Sequence, residues 1–274
     1  MRRHLVLPAR GTLLVSTDVH GNAEDIARLA DVFLEERSRE PETHWVVLGD
    51  IVHAPSAEAR TDRPELYDFD DGTMAIVDRL LELQKAHAGH VHFVLGNHDH
   101  GHVGGPHTHK FHDDEVNALE NALSPAERTR LRELLEPALL AIAAPCGVLM
   151  THGAPDATLE DLRALDDVPL DVAAMTSAQR ATMRALLTAY GQTDPVASTM
   201  LANVSRGLGF ELRVVVHGHD RDERGFFHEG VHQVCPCIFG APRAQKRFVR
   251  LDLGARYENG QALRDGVEIV RLHA

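Results

Sequence analysis

Val91-His92-Phe93-Val94-Leu95, continuing at once into Gly96-Asn97-His98-Asp99, is the stretch whose reading decides the fold. An apolar run that switches abruptly to Gly-Asn-His-Asp reads as a buried strand ending in a tight turn. Such a turn delivers polar side chains to the carboxyl edge of a sheet, where open α/β sheets build their sites. Asn97 offers a neutral oxygen, and His98 can move a proton near neutral pH. The weight of this short motif rests on the residues at the ends of the other strands.

Toward the N terminus, residues 11–17 read as a strand ending in Asp18-Val19-His20-Gly21-Asn22, and residues 44–48 as one ending in Gly49-Asp50. Apolar spacing predicts helices at about 23–40, with Asn22 as N-cap, and at about 72–88. Residues 53–64 are polar and Pro-containing and read as a loop. Strand, helix, strand, helix, strand over this span implies parallel pairing through right-handed crossovers.

Toward the C terminus, residues 100–112 form a Gly- and His-rich loop. Helices are predicted at about 113–123 and 125–136, the second with Ser124 as N-cap, Pro125 first and Glu127 at the third position. Residues 147–150 read as a short strand ending in Thr151-His152-Gly153. From 158 to 207 the pattern is mostly helical, with breaks at Pro169 and at 191–195, and is expected to be an inserted lobe or cap. Residues 212–216 read as a strand ending in His217-Gly218-His219-Asp220. Short strands at about 225–228, 231–238, 246–253 and 266–272 then read as an antiparallel meander. With no repeat, low-complexity tract or linker, residues 1–274 are expected to form one domain.

The totals narrow the function. A chain of 274 residues, 43% apolar and 25% charged, can bury a full core. A net charge of −13 argues against a general nucleic-acid-binding surface, which needs clustered Lys and Arg. Three cysteines (Cys146, Cys235 and Cys237) suit reduced, packed thiols and a cytoplasmic location. No apolar run approaches the roughly 20 residues of a membrane helix. Met1-Arg2-Arg3 is basic, but Pro8, Arg10 and Gly11 interrupt the adjoining segment, so no signal peptide is expected.

Five strands therefore end in groups that bind divalent cations: Asp18 with His20, Asp50, Asn97, His152, and His217 with His219. Carboxylate, amide oxygen and imidazole together suit manganese, iron or zinc. Neighbouring strands lie ~4.8 Å apart, so these groups can converge. A set this large is expected to hold two divalent metal ions with one carboxylate bridging them.

In this order the motifs resemble the calcineurin-like metallophosphoesterase superfamily, over residues of about 11 to 253. The run Ser16-Thr17-Asp18-Val19-His20-Gly21-Asn22 is most similar to the branch of serine/threonine protein phosphatases and their bacterial relatives. The resemblance implies a four-layer α/β/β/α sandwich, two mixed sheets flanked by helices. It implies that Asp18, His20 and Asp50 hold the first metal, and that Asp50 bridges to a second completed by Asn97, His152 and His219. His217 competes with His219 for the last place. Water would attack the phosphorus directly, and His98 would protonate the leaving oxygen, with Asp99 or another carboxylate orienting it.

The chain departs from that branch at Gly49-Asp50-Ile51-Val52-His53-Ala54, where the branch has an Asp-Arg-Gly tripeptide. The orienting Asp becomes His53 and the phosphate-gripping Arg becomes Ala54. Arg206, Arg243, His53 and His100 are candidate substrate contacts. The expectation is a metal-dependent phosphomonoesterase on a small phosphorylated molecule or a phosphoprotein. A phosphodiesterase or nucleotide pyrophosphohydrolase is the alternative, and an inactive metal-binding module a third.

Overall fold

The computed structural model describes residues 1–273. Strand β1 (His4–Val6) lies apart from the first parallel unit, which runs β2 (Thr12–Ser16), α1 (Ala23–Arg39) and β3 (His44–Val47). Two short helices come next, α2 (Ala57–Asp62) and α3 (Pro64–Tyr67), then α4 (Thr73–Ala86) and β4 (Val91–Phe93). A single helical turn, α5 (Asn97–His100), continues directly from the opening strand. After it come α6 (Glu115–Ala122), α7 (Pro125–Leu135), β5 (Ala141–Ala144) and β6 (Val148–Met150).

The segment 158–207 holds two 3-10 turns and two helices, α8 (Ser177–Thr188) and α9 (Asp194–Ser205). Beyond it lie β7 (Val214–Val216), β8 (Phe226–Glu229), β9 (Gln233–Pro236), β10 (Arg247–Asp252) and β11 (Ile269–Arg271).

Two mixed sheets result, in strand orders β1-β5-β6-β7-β9-β8 and β11-β10-β2-β3-β4. The parallel register Val15↔Val46 and Val46↔His92 ties β2, β3 and β4 as their pattern predicts. Alternation then sorts the side chains. Leu13, Val15, Val46 and Val249 of one sheet pack with Ile142, Met150, Val214 and Val234 of the other. Leu14, Trp45, Val47 and Phe93 face the opposite way, onto Ile26, Phe33, Ile76 and Leu80 of α1 and α4. Each such Leu or Ile contributes about 1.5–3 kcal/mol by leaving water. These strands are apolar on both faces because both faces are covered. The expected caps are in place: the Asn22 side chain accepts from the Asp25 amide, and Ser124 and Glu127 cap each other's backbone.

Three expectations change. The stretch 53–64 is not all loop: Ser56 caps α2, whose residues bury no face, so the sequence shows no helical period there. Strands β1 and β5 are additions that no periodicity predicts. β5 is Ala-Ile-Ala-Ala, whose alanines favour helix until burial between β1 and β6 overrides them. The terminal strands are not one meander. β9 pairs parallel to β7 and antiparallel to β8, whereas β10 crosses to the other sheet and lies between β2 and β11.

Candidate metal centre

Every strand-end motif arrives at one edge. Asp18 and His20 come after β2, Asp50 after β3, His152 after β6 and His219 after β7, while Asn97 opens α5. The turns that present them are unusual. Among the described residues the five non-glycine residues with positive φ are Asp18 (44°), His20 (42°), Asp50 (52°), His53 (66°) and His219 (66°). Left-handed backbone disfavours any side chain, so its confinement to this edge marks positions held by tertiary structure for a purpose. Gly96 and Gly218 are needed for close approach: a Cβ on the first would strike the Asp50 carboxylate, and on the second Thr17 and the Asp18 carboxylate.

Asp50 is the centre. Its Oδ1 accepts from the His98 amide at 2.9 Å. Its Oδ2 lies 3.6 Å from His20 Nε2 and 3.5 Å from His152 Nε2. On one side, Asp18 Oδ1 stands 3.9 Å from His20 Nε2. On the other, Asn97 Oδ1 lies 2.9 Å from both His152 Nε2 and His219 Nδ1. Donor atoms of Asp50, His152 and His219 converge closely enough to hold a metal ion, as do those of His20, Asp50 and His98.

The electrostatics fit a cation. Burial pushes the Asp18 carboxyl up to about 6, with Asp50 adding repulsion. Burial opposes the charge of Asp50 too, but His152, His98, His20 and His219 overcome it and hold the carboxyl well below its usual range. For His152, burial works against protonation, and Asp50 and Asp18 more than reverse it. Crowded, buried carboxylates and imidazoles are a donor set short of positive charge. His20 and His152 are each fixed by the other ring nitrogen, against the carbonyls of Val52 and Leu48. Such partners orient ligating imidazoles.

His217 does not join this set. It is fully buried, its Nδ1 lies 3.0 Å from the Gly218 carbonyl, and its Nε2 has no partner among the described residues. Asp99 does not touch the His98 ring either. Its carboxylate accepts from the amides of Asp50, Ile51 and Gly96, and so fastens two strand-end turns together. The carboxylate beside His98 belongs to Glu115, whose Oε2 lies 3.2 Å from His98 Nδ1. Burial alone would raise Glu115, but the His98 imidazole and the Thr108 hydroxyl reverse this and bring it down to about 2.

His53 sits behind His98, not in the cleft. Its Nδ1 is 3.0 Å from His98 Nδ1 and its Nε2 is 2.9 Å from His102 Nε2. Burial, then the neighbouring His98 and His102, lower it to about 3, so it stays neutral. His100 lines the neighbouring cavity and not the metal cleft, with Nε2 2.7 Å from the Leu170 carbonyl. Arg206 caps α9 and bonds Asn203, and Arg243 pairs with Glu24 at 2.7 Å.

The cations that do line the cleft are Lys110 and Arg221, together with Tyr190 and Phe239. The Lys110 ammonium lies 4.4 Å over the Phe239 ring, a cation–π contact. Tyr67, from the unexpected helix α3, stacks with the same Phe239 ring at 5.1 Å. Lys110 lies within the histidine-rich loop, but nothing in the sequence singled out Lys110, Glu115, Arg221 or Tyr190.

Two mixed sheets with a histidine–carboxylate cluster at one strand-end edge define a metallophosphoesterase architecture. The chain belongs to the calcineurin-like phosphoesterase family, whose description matches residues 11–220. A protein serine/threonine phosphatase from Saccharomyces cerevisiae, with similarity to human phosphatase PP5, shares the fold at a TM-score of 0.60 and 15% identity, covering 100% of this chain and 84% of that one. A metallophosphoesterase from Sphaerobacter thermophilus aligns at a TM-score of 0.44 and 15% identity, over 89% of this chain and 84% of the other. No curated protein matches the sequence. No helix among the described residues is long and apolar enough to cross a membrane.

Proposed function

We propose that this protein is a dimetal-dependent phosphomonoesterase. The observation that carries the reading is Asp50 Oδ2, poised between His20 and His152 as the shared oxygen of two donor pockets. Asp18, His20 and Asp50 would hold one divalent ion, and Asp50, Asn97, His152 and His219 the other. The donor set suits manganese, iron or zinc. Bound there, the ions supply Lewis-acid charge to the phosphate oxygens and make water a competent nucleophile at neutral pH.

The rest is the work of the chain's own side chains. Asp50 is fixed by the His98 amide, so its second oxygen stays directed at both pockets. Glu115 and His53 occupy the Nδ1 side of His98, which leaves Nε2 on the cleft side to protonate the departing alkoxide. Glu115 takes the orienting part expected of Asp99, and stabilises the imidazolium before it gives up its proton. Lys110 and Arg221 oppose the charge of a dianionic phosphate, which favours a monoester over a diester. The missing guanidinium at Ala54 is thereby replaced from two other loops.

Purified protein reconstituted with manganese is to be assayed in parallel on p-nitrophenyl phosphate, bis(p-nitrophenyl) phosphate, a phosphoserine peptide and a dinucleoside polyphosphate. Monoester turnover is expected to exceed diester turnover. The reverse order overturns the proposal in favour of a phosphodiesterase, and stoichiometric metal without turnover of any of them favours a binding module.

A further inference from the structure

A cavity of about 560 Å³ opens beside the metal cleft, between α5 and the helical lobe. Its size falls within the roughly 300–1,000 Å³ of organic-ligand pockets. Asn97 and Thr108 line both it and the cleft, so the two spaces adjoin. Asn97 is also the residue whose Oδ1 meets His152 and His219, so an occupant lies directly beside the phosphate position.

The walls differ from those of the cleft. Met175, Met183 and Leu187 form an apolar floor and are 4%, 3% and 2% exposed. Methionine side chains adapt to ligand shape and favour flexible or ring-shaped apolar groups. At the rim stand Arg180 and Arg184, one turn apart on α8 and both exposed. Like charges at this spacing repel. Among the described residues neither guanidinium pairs with a carboxylate: Arg180 donates to the Val172 carbonyl at 3.0 Å, and Arg184 has no side-chain hydrogen bond. In a chain with 41 acidic and 28 basic residues, two neighbouring arginines without an acid at the mouth of an apolar cavity call for an anionic ligand.

We propose that this cavity is the leaving-group pocket, and that the preferred substrates are small amphiphilic phosphomonoesters. The esterified alcohol has a long or ring-shaped apolar body, buried on the methionines, and ends in a carboxylate or second phosphate held by Arg180 and Arg184. The assignment rests on the phosphomonoesterase reading for its chemistry and on the cavity alone for its binding.

The test uses manganese-loaded full-length protein with butyl phosphate, octyl phosphate and the octyl ester bearing a terminal carboxylate, alcohols of nearly equal acidity. The matching non-hydrolysable phosphonates are titrated by calorimetry. Octyl should exceed butyl by about ten- to a hundredfold in kcat/KM and in phosphonate affinity, as burial of the added methylenes dictates. The terminal carboxylate should add a further several-fold gain. That second gain should vanish in the Arg180→Gln, Arg184→Gln double variant while the chain-length gain persists, and Met183→Trp should erase the chain-length gain. Should a variant fail to fold, the phosphonate series on the natural chain decides.

Equal affinities across that series overturn the pocket, as does a phosphoserine peptide that binds more tightly than the octyl compounds. Graded phosphonate binding without turnover of any ester would keep the pocket and remove the phosphomonoesterase reading.

Discussion

Two groups of histidines in this molecule show how much the surroundings decide. At the edge formed by β3 and β4, His44, His90 and His92 stack on one another, with ring separations of 4.7 Å and 5.5 Å. His44 Nδ1 and His92 Nε2 lie 3.2 Å apart. Burial lowers His44 to about 4 and His92 to about 3. No carboxylate forms an ion pair with any of the three among the described residues. At the strand ends the same side chain meets buried Asp18 and Asp50: burial still lowers His20 and His219, but the two carboxylates raise His152. Histidine is packing material in the first place and, in the second, part of a donor set able to hold a metal ion. The carboxylates, and the left-handed turns that aim them, make the difference.

The sharpest way to break this contrast is to remove the central carboxylate. Asp50→Asn keeps the shape and takes away the shared charge. It should lower kcat/KM by about 10³-fold or more, since charge stabilisation of this kind is worth several kcal/mol. Metal analysis should show that two ions per chain are no longer retained. If the variant still binds two, Asp50 does not bridge.

A smaller effect is expected one layer out. Glu115→Gln leaves the donor pockets intact, so metal content should hold while kcat falls about 10–100-fold, the usual cost of losing an orienting partner. The alkaline limb of the pH–rate profile, where the proton donor is lost, should move to lower pH with it, and Glu115→Asp should recover part of the loss. Loss of metal in Glu115→Gln would mean that this carboxylate supports ligands instead of the acid.

The smallest effect tests the other cluster. His92 is held down to about 3 when folded and relaxes to an ordinary value near 6.5 when unfolded, so the unfolded chain binds more protons between those limits. Stability is therefore present above about pH 6.5 and declines as the pH falls through that window. His92→Leu should remove about 1–2 kcal/mol of the loss between about pH 7 and pH 5, seen in urea midpoints at both values, and leave turnover untouched. An unchanged pH dependence would show that His92 does not titrate on unfolding.

The part legible along the sequence was whatever a strand end announces locally. Asp18, His20, Asp50, Asn97, His152 and His219 each stand just beyond an apolar run, and the parallel order of those runs brings them to one edge. Residues that come to the edge by packing gave no such signal. Glu115 opens helix α6 next to its cap Asp114, where an acid is ordinary helix chemistry, and only the docking of α6 places it against His98. Arg221 and Tyr190 sit in connections whose course no periodicity fixes. His53 could be recognised as a substitution, but not as the middle of a buried row joining His98 to His102. The same limit explains β5, whose alanines carry no strand pattern, and the last strands, whose sheets were chosen by distant partners.

The crossing of β10 to the second sheet also sets an order of events. β2 carries Asp18 and His20 at its end, and one of its neighbours, β3, comes soon after it in the chain. Its other neighbour is β10, through Val249↔Val15 and Leu251↔Leu13. Contacts of such sequence separation form late, because closing the loop is costly. During synthesis Asp18 and His20 thus wait at the edge of a half-built sheet until β10 has been made.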